Sequence, residues 1–166
     1  GKYDEVVVYA PPLLKDTSNA SRAPEINRIL GESFFRTGDF QEAAPYLEKY
    51  KELTGVLNRS EWYQLGFCYY KSARYQEAVG AFLKSVDKAD SVTQNACYHL
   101  GDCYVRLGDK KKAADAFFLA YKTGSDLKIR EDALFNYAKL SFETDYNPFN
   151  EAIRAFEDYL KDYPQS

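Results

Sequence analysis

Between Trp62 and Phe82 the chain reads WYQLGFCYYKSARYQEAVGAF, and the spacing of its apolar and small residues decides the fold. Trp62, Leu65, Gly66 and Tyr69 recur at intervals of three and four, which places them on one face of a helix. After Ser72-Ala73-Arg74 the same period resumes with Tyr75, Ala78 and Phe82. The segment is therefore a helical hairpin, and Gly66 and Ala78 are the small residues that let its two helices approach closely.

The hairpin repeats along the chain. Leu30-Gly31, Leu65-Gly66 and Leu100-Gly101 recur every 35 residues, and Ala43, Ala78 and Ala113 keep step, as do Leu47, Phe82 and Phe117. A fourth copy continues through Tyr137, Ala138, Ala152 and Phe156, with its inter-helix turn lengthened by two residues around Asn147-Pro148. A fixed period of this size is the mark of stacked supersecondary units. Thr37-Gly38-Asp39 and Leu107-Gly108-Asp109 put a helix-stopping glycine before a capping aspartate. Glu42, three residues after Asp39, reads as the far half of a capping box.

The run Trp62-x2-Leu65-Gly66-x2-Tyr69, followed by Ala78-x3-Phe82, resembles the signature of the tetratricopeptide repeat family. Departures are modest: the closing proline of the pattern occurs only at Pro164, and the first-helix tryptophan is replaced by Asn27, Cys97 and Leu134. The resemblance implies an all-α fold, a right-handed superhelical solenoid of antiparallel helix pairs with first helices lining a concave face. Residues 1–22 would form the second helix of a truncated repeat. Repeats would follow at 23–57, 58–92, 93–128 and 129–166, together one solenoid segment of a larger protein. The opening helix is expected near Tyr3 to Leu14, kinked or ended early by Pro11-Pro12, which cannot donate backbone hydrogen bonds. Val6, Val7, Ala10, Leu13 and Leu14 at one end, and Phe156 and Tyr159 at the other, are expected to leave apolar surface that favours end-to-end self-association.

Composition narrows the function. No apolar run approaches the ~20 residues of a membrane span, which argues against direct membrane insertion. A net charge of -3 argues against nucleic acid as partner, since that requires a surplus of Lys and Arg. Cys68, Cys97 and Cys103 are an odd number without paired spacing, and read as buried alanine substitutes rather than disulfide or metal ligands. His99 is the single histidine, mid-helix beside Leu100, and reads as a packed side chain rather than a general base. No phosphate-binding loop and no carboxylate dyad stands out. The expectation is a non-enzymatic protein with no cofactor and no metal.

Aromatic residues are 16% of the chain, so the use of these rings carries the functional argument. With Gly66 as the eighth position of its unit, the resemblance places the second, fifth, ninth, twelfth and thirteenth positions of each first helix in the groove. In the second repeat these are Ser60, Tyr63, Phe67, Tyr70 and Lys71. The first repeat contributes Phe35 and Arg36, the third Tyr98 and Arg106, and the fourth Phe135 and Lys139. An aromatic patch of Tyr63, Phe67, Tyr70, Tyr98 and Phe135, with a basic ladder of Arg36, Lys71 and Arg106, suits a protein or peptide ligand. The alternative is that curvature buries the rings between repeats and leaves the ladder a solvated edge. Some family members grip a chaperone's terminal carboxylate with lysine and asparagine. Here Arg28 and Glu32 stand where the first repeat would need lysine and asparagine, and the third has Asn95 and His99 rather than lysine and arginine, which disfavours that role.

The expected function is a scaffold for protein–protein interaction that binds a peptide or helix in the aromatic concave groove. The alternative is a structural or self-assembling spacer array within a larger multidomain bacterial protein. The closing Phe156 to Ser166 is similar to repeat ends in bacterial envelope proteins of the Tol-Pal coordination type, which points to the periplasm or cell envelope, with the cytoplasm as the alternative.

Overall fold

The computed structural model describes residues 1–144 and 151–165. Its described residues form nine α-helices and no strand. In chain order these are α1 (Lys2–Tyr9), α2 (Ala23–Thr37), α3 (Phe40–Thr54), α4 (Arg59–Lys71), α5 (Tyr75–Leu83), α6 (Ser91–Arg106), α7 (Lys110–Thr123), α8 (Leu127–Thr144) and α9 (Glu151–Asp162). Short 3-10 turns at Pro11–Leu14 and Thr17–Arg22 join α1 to α2. The chain divides into two compact units, Gly1–Ala81 and Phe82–Ser166.

In the first unit α2 and α3 pack as a pair around Leu30 and Leu47, both fully buried. Gly31 is what permits this approach: a Cβ there would lie 2.6 Å from Leu47 Cδ2. Asn27, standing where the motif has tryptophan, is buried and spends its amide on the Ala23 carbonyl at 2.7 Å. Gly38 ends α2 in the left-handed region at φ 89°, and the Asp39 N–H donates to the Phe34 carbonyl. The turn between α4 and α5 has the same form with Ala73 at φ 57° in the glycine's place. There Arg74 lies over Tyr69, 4.3 Å from the ring centroid, and pairs with Glu48 and Glu77, each at 3.0 Å.

The second unit repeats the scheme. Gly101 of α6 faces Phe117 of α7, where a Cβ would sit 2.7 Å from the ring. Asp90 and Asp109 cap α6 and α7 by accepting from the Thr93 and Lys112 amides. Gln94, fully buried, donates to the Asp126 carbonyl at 3.0 Å and accepts from the Asp126 amide at 3.1 Å, fastening the α7–α8 connection to α6. Ala133, Leu134 and Ala138 of α8 are buried, and Leu134 lies where the motif has tryptophan.

Pro11-Pro12 end the opening α-helix early, as expected of them: it stops at Tyr9 and a 3-10 segment carries the chain on to Leu14. Two other expectations are corrected. Asp39 and Glu42 form no capping box: the Asp39 carboxylate accepts instead from the Thr37 hydroxyl at 2.9 Å. The reciprocal box is at Asn58 and Glu61. Phe156 and Tyr159 are half-buried against Phe135, and the apolar residues that α9 exposes are Ile153 and Leu160. The lengthened turn around Asn147-Pro148 lies outside the described residues.

Candidate functional site

The first unit gathers aromatic rings from three consecutive helices. Phe35 leaves the last turn of α2, Phe40 opens α3, and Tyr63, Phe67 and Tyr70 follow each other at i, i+4 and i+7 on α4. Phe35, Phe40 and Phe67 form a closed triangle with centroids 5.0, 5.5 and 5.8 Å apart, all edge to face. Tyr63 and Tyr70 flank Phe67 at 6.1 Å on either side, and Tyr75 extends the row from Tyr70 at 6.2 Å. Burial pushes the Tyr63 hydroxyl up to about 12.

Lys71 sits on this platform. Its Nζ is 5.2 Å from the Phe67 centroid, 5.8 Å from Tyr70 and 6.0 Å from Phe40, within range of cation–π attraction to all three. The side chain is exposed and borders an open cleft of about 380 Å³ lined also by Gly38, Asp39, Phe40, Gln41 and Glu42.

Arg36, Lys71 and Arg106 share one repeat position, yet their surroundings differ. Arg36 lies 3.5 Å from Glu32, and Arg106 lies 3.8 Å from Asp102; both acids are one helical turn back. The equivalent neighbour of Lys71 is Phe67, and Lys71 forms no ion pair with a described residue. Arg36 also reaches the Tyr3 ring at 5.8 Å.

The remaining sequence-chosen residues belong to the second unit. Tyr98 packs edge-on against Phe117 at 5.6 Å and against His99 at 5.7 Å. Phe135 leans on Phe156 and Tyr159 of α9 while staying 45% exposed, and Lys139 is exposed. His99 stacks on Phe82 at 5.7 Å. Among the described residues no group of His, Cys, Asp and Glu could hold a metal ion. The three cysteines are buried, and burial pushes each thiol up to about 12.

Phe40 and Tyr75 are the site residues that the reading of first helices missed. They open second helices exactly one repeat apart, 35 residues, so a comparison of second-helix starts exposes them. No described helix is long and apolar enough to cross a membrane.

Several solved structures share the fold. MamA superposes with a TM-score of 0.72 at 21% identity, covering 99% of this chain and 85% of that one. YrrB, described as a TPR protein with an unusual peptide-binding site, gives 0.74 at 17% identity, covering 99% and 79%. A further MamA structure, MSR-1 C2, gives 0.68 at 22%, covering 99% and 89%. No curated protein sequence matches the chain. Family profiles described as tetratricopeptide repeat match residues 13–55 and 62–127, and another with the same description matches 132–166. With its helix pairs packed through Gly31 and Gly101 at the repeat period, the chain belongs to the tetratricopeptide repeat family.

Proposed function

We propose that the chain is a non-enzymatic interaction scaffold that binds an extended peptide or helix, with the aromatic platform of the first unit as its principal anchor. One observation carries this reading: Lys71 is an exposed cation resting on three rings with no acid of its own helix to neutralise it, unlike Arg36 and Arg106. Rings supply rigid contact area, and a charge free of an intramolecular pair orients an incoming carboxylate or carbonyl. The peptide-binding site named for YrrB supports the same reading. Within the first unit Phe35 and Arg36 would extend the contact beyond Tyr63, Phe67, Tyr70 and Lys71, and Tyr98, Arg106, Phe135 and Lys139 are the corresponding candidates of the second unit, taken by itself. A periplasmic or cell-envelope setting rests on the resemblance of the closing residues.

A peptide array followed by calorimetry on the best binder tests this. Tyr70→Ala should cost ~2 kcal/mol or more of affinity with little loss of fold, and Lys71→Ala should slow association and flatten its salt dependence. A Tyr70→Ala variant that is destabilised yet binds equally well per folded molecule would refute the site.

A second reading, assembly through the opening helix, draws on the apolar cleft of about 470 Å³ beside Val6, Tyr9 and Leu13, where Val8 and Tyr9 are 64% and 74% exposed. Sedimentation of a Tyr9→Lys, Leu13→Lys variant would show loss of association if α1 mediates it, and an unchanged distribution would exclude it.

A further inference from the structure

A third cleft lies in the second unit, on side chains that belong to neither the aromatic platform nor the opening helix. It has a volume of about 160 Å³ and is walled by Phe118 and Tyr121 of α7, Tyr137 of α8, and Arg154 and Asp158 of α9, with Leu134 at its floor. Leu134 and Tyr137 occupy the side of α8 away from Phe135 and Lys139, so this is a different surface from the first-helix positions. Phe118 is 40% exposed, whereas its neighbour Phe117 is buried. Tyr137 holds Phe118 at 4.8 Å between centroids.

The charge around these rings is positive. Lys122 Nζ lies 5.4 Å from the Phe118 centroid and 4.8 Å from Tyr121, and the Arg130 guanidinium is 5.2 Å from the same Tyr121 ring. Asp162 accepts from the Tyr121 hydroxyl at 3.2 Å and keeps its charge, so the three cations Lys122, Arg130 and Arg154 stand against two acids, Asp158 and Asp162, and the balance is positive by one. Neither Lys122 nor Arg154 pairs with a carboxylate among the described residues, and Asp158 is the single acid in the cleft wall. The volume is well below the ~300 Å³ at which small-molecule pockets begin, and suits one apolar side chain.

The geometry points to this cleft as a docking site for an acidic peptide segment: one apolar or aromatic side chain enters over the touching Phe118–Tyr137 pair towards Leu134, and flanking carboxylates meet Lys122 and Arg154. Exposed rings flanked by cations without an ion pair favour a ligand that is apolar at its centre and negative at its edges over one that is apolar alone, because only the first gains from both cations. The site is independent of the platform at Lys71, and a chain carrying both could hold two segments at once.

The probe is a synthetic peptide with one phenylalanine flanked on each side by two glutamates, titrated at millimolar concentration while two-dimensional amide NMR spectra of the full chain are recorded. Shifts should cluster at 118–122, 134–137 and 154–158. Replacing the peptide's glutamates by glutamines, or using a Lys122→Glu, Arg154→Glu variant, should weaken binding about tenfold, as loss of two exposed charge contacts implies. Both protein substitutions are at exposed positions and leave the core untouched, so folding is checked directly from the same spectra. Shifts confined to residues 35–75 would show that the platform takes the peptide and overturn the second site. So would no shifts at all, or equal affinity for the glutamine peptide.

Discussion

Replacing Gly101 and Gly80 by alanine should move stability in opposite directions. Both glycines are inside helices, and alanine in such a place gains up to about 1 kcal/mol of helix propensity. At Gly80 on α5 nothing lies within 4 Å of the added Cβ, so Gly80→Ala should stabilise by about 0.5–1 kcal/mol. At Gly101 the Cβ would come 2.7 Å from Phe117 Cε1 and Cζ and 2.8 Å from Cδ1, roughly 1 Å inside contact distance. Phe117 is 3% exposed and has no solvent into which to retreat. Overpacking of about 2–3 kcal/mol therefore outweighs the propensity gain, and Gly101→Ala should destabilise by about 1–2 kcal/mol, a fall in Tm of roughly 3–6 °C for a chain of this length. Urea unfolding followed by helical circular dichroism, with calorimetry alongside, reads both values. Adding Phe117→Leu should relieve part of the clash. If Gly101→Ala were as stabilising as Gly80→Ala, close approach of α6 and α7 would not depend on the missing side chain.

Three further outcomes follow from the described contacts. Ala73→Gly should stabilise by about 0.5–1 kcal/mol in the same unfolding assay, because Ala73 holds the left-handed conformation that Gly38 and Gly108 adopt one repeat away on either side. Gln94→Ala should cost about 2–3 kcal/mol and speed amide exchange at Asp126, since it removes both hydrogen bonds that fasten the α7–α8 connection. Alkali should unfold the protein early: burial raises the Cys68, Cys97 and Cys103 thiols from 9.0 to about 12, so their contribution is complete below pH 9 and is lost as pH rises towards 12. The urea midpoint should fall across that window, less so in a Cys68→Ala variant, while a thiol reagent at neutral pH should label only the unfolded chain.

What the sequence discloses is what close packing demands at a fixed period. Gly31 against Leu47 and Gly101 against Phe117 are legible because a small residue on one helix and a large one on the next must recur together wherever two helices touch. Turn conformation is less legible: Gly38 and Gly108 declare it, but Ala73 adopts it with no glycine to signal the fact, held there by the hairpin that the Ser72–Arg74 turn must close. Capping is a competition, and Asp39 lost its expected partner to a hydroxyl two residues back that no spacing rule ranks above Glu42. The candidate site divides along the same line. Single-helix spacing places Tyr63, Phe67 and Tyr70 on one face, while Phe40 joins them from the next helix, beyond the reach of any one-helix pattern. The difference between Lys71 and its two counterparts was nonetheless written locally, in Glu32, Phe67 and Asp102 one turn earlier. An acid at that place pairs with the cation within its own helix and a ring does not, so the residue four positions back decides which of three equivalent cations is left without an ion pair.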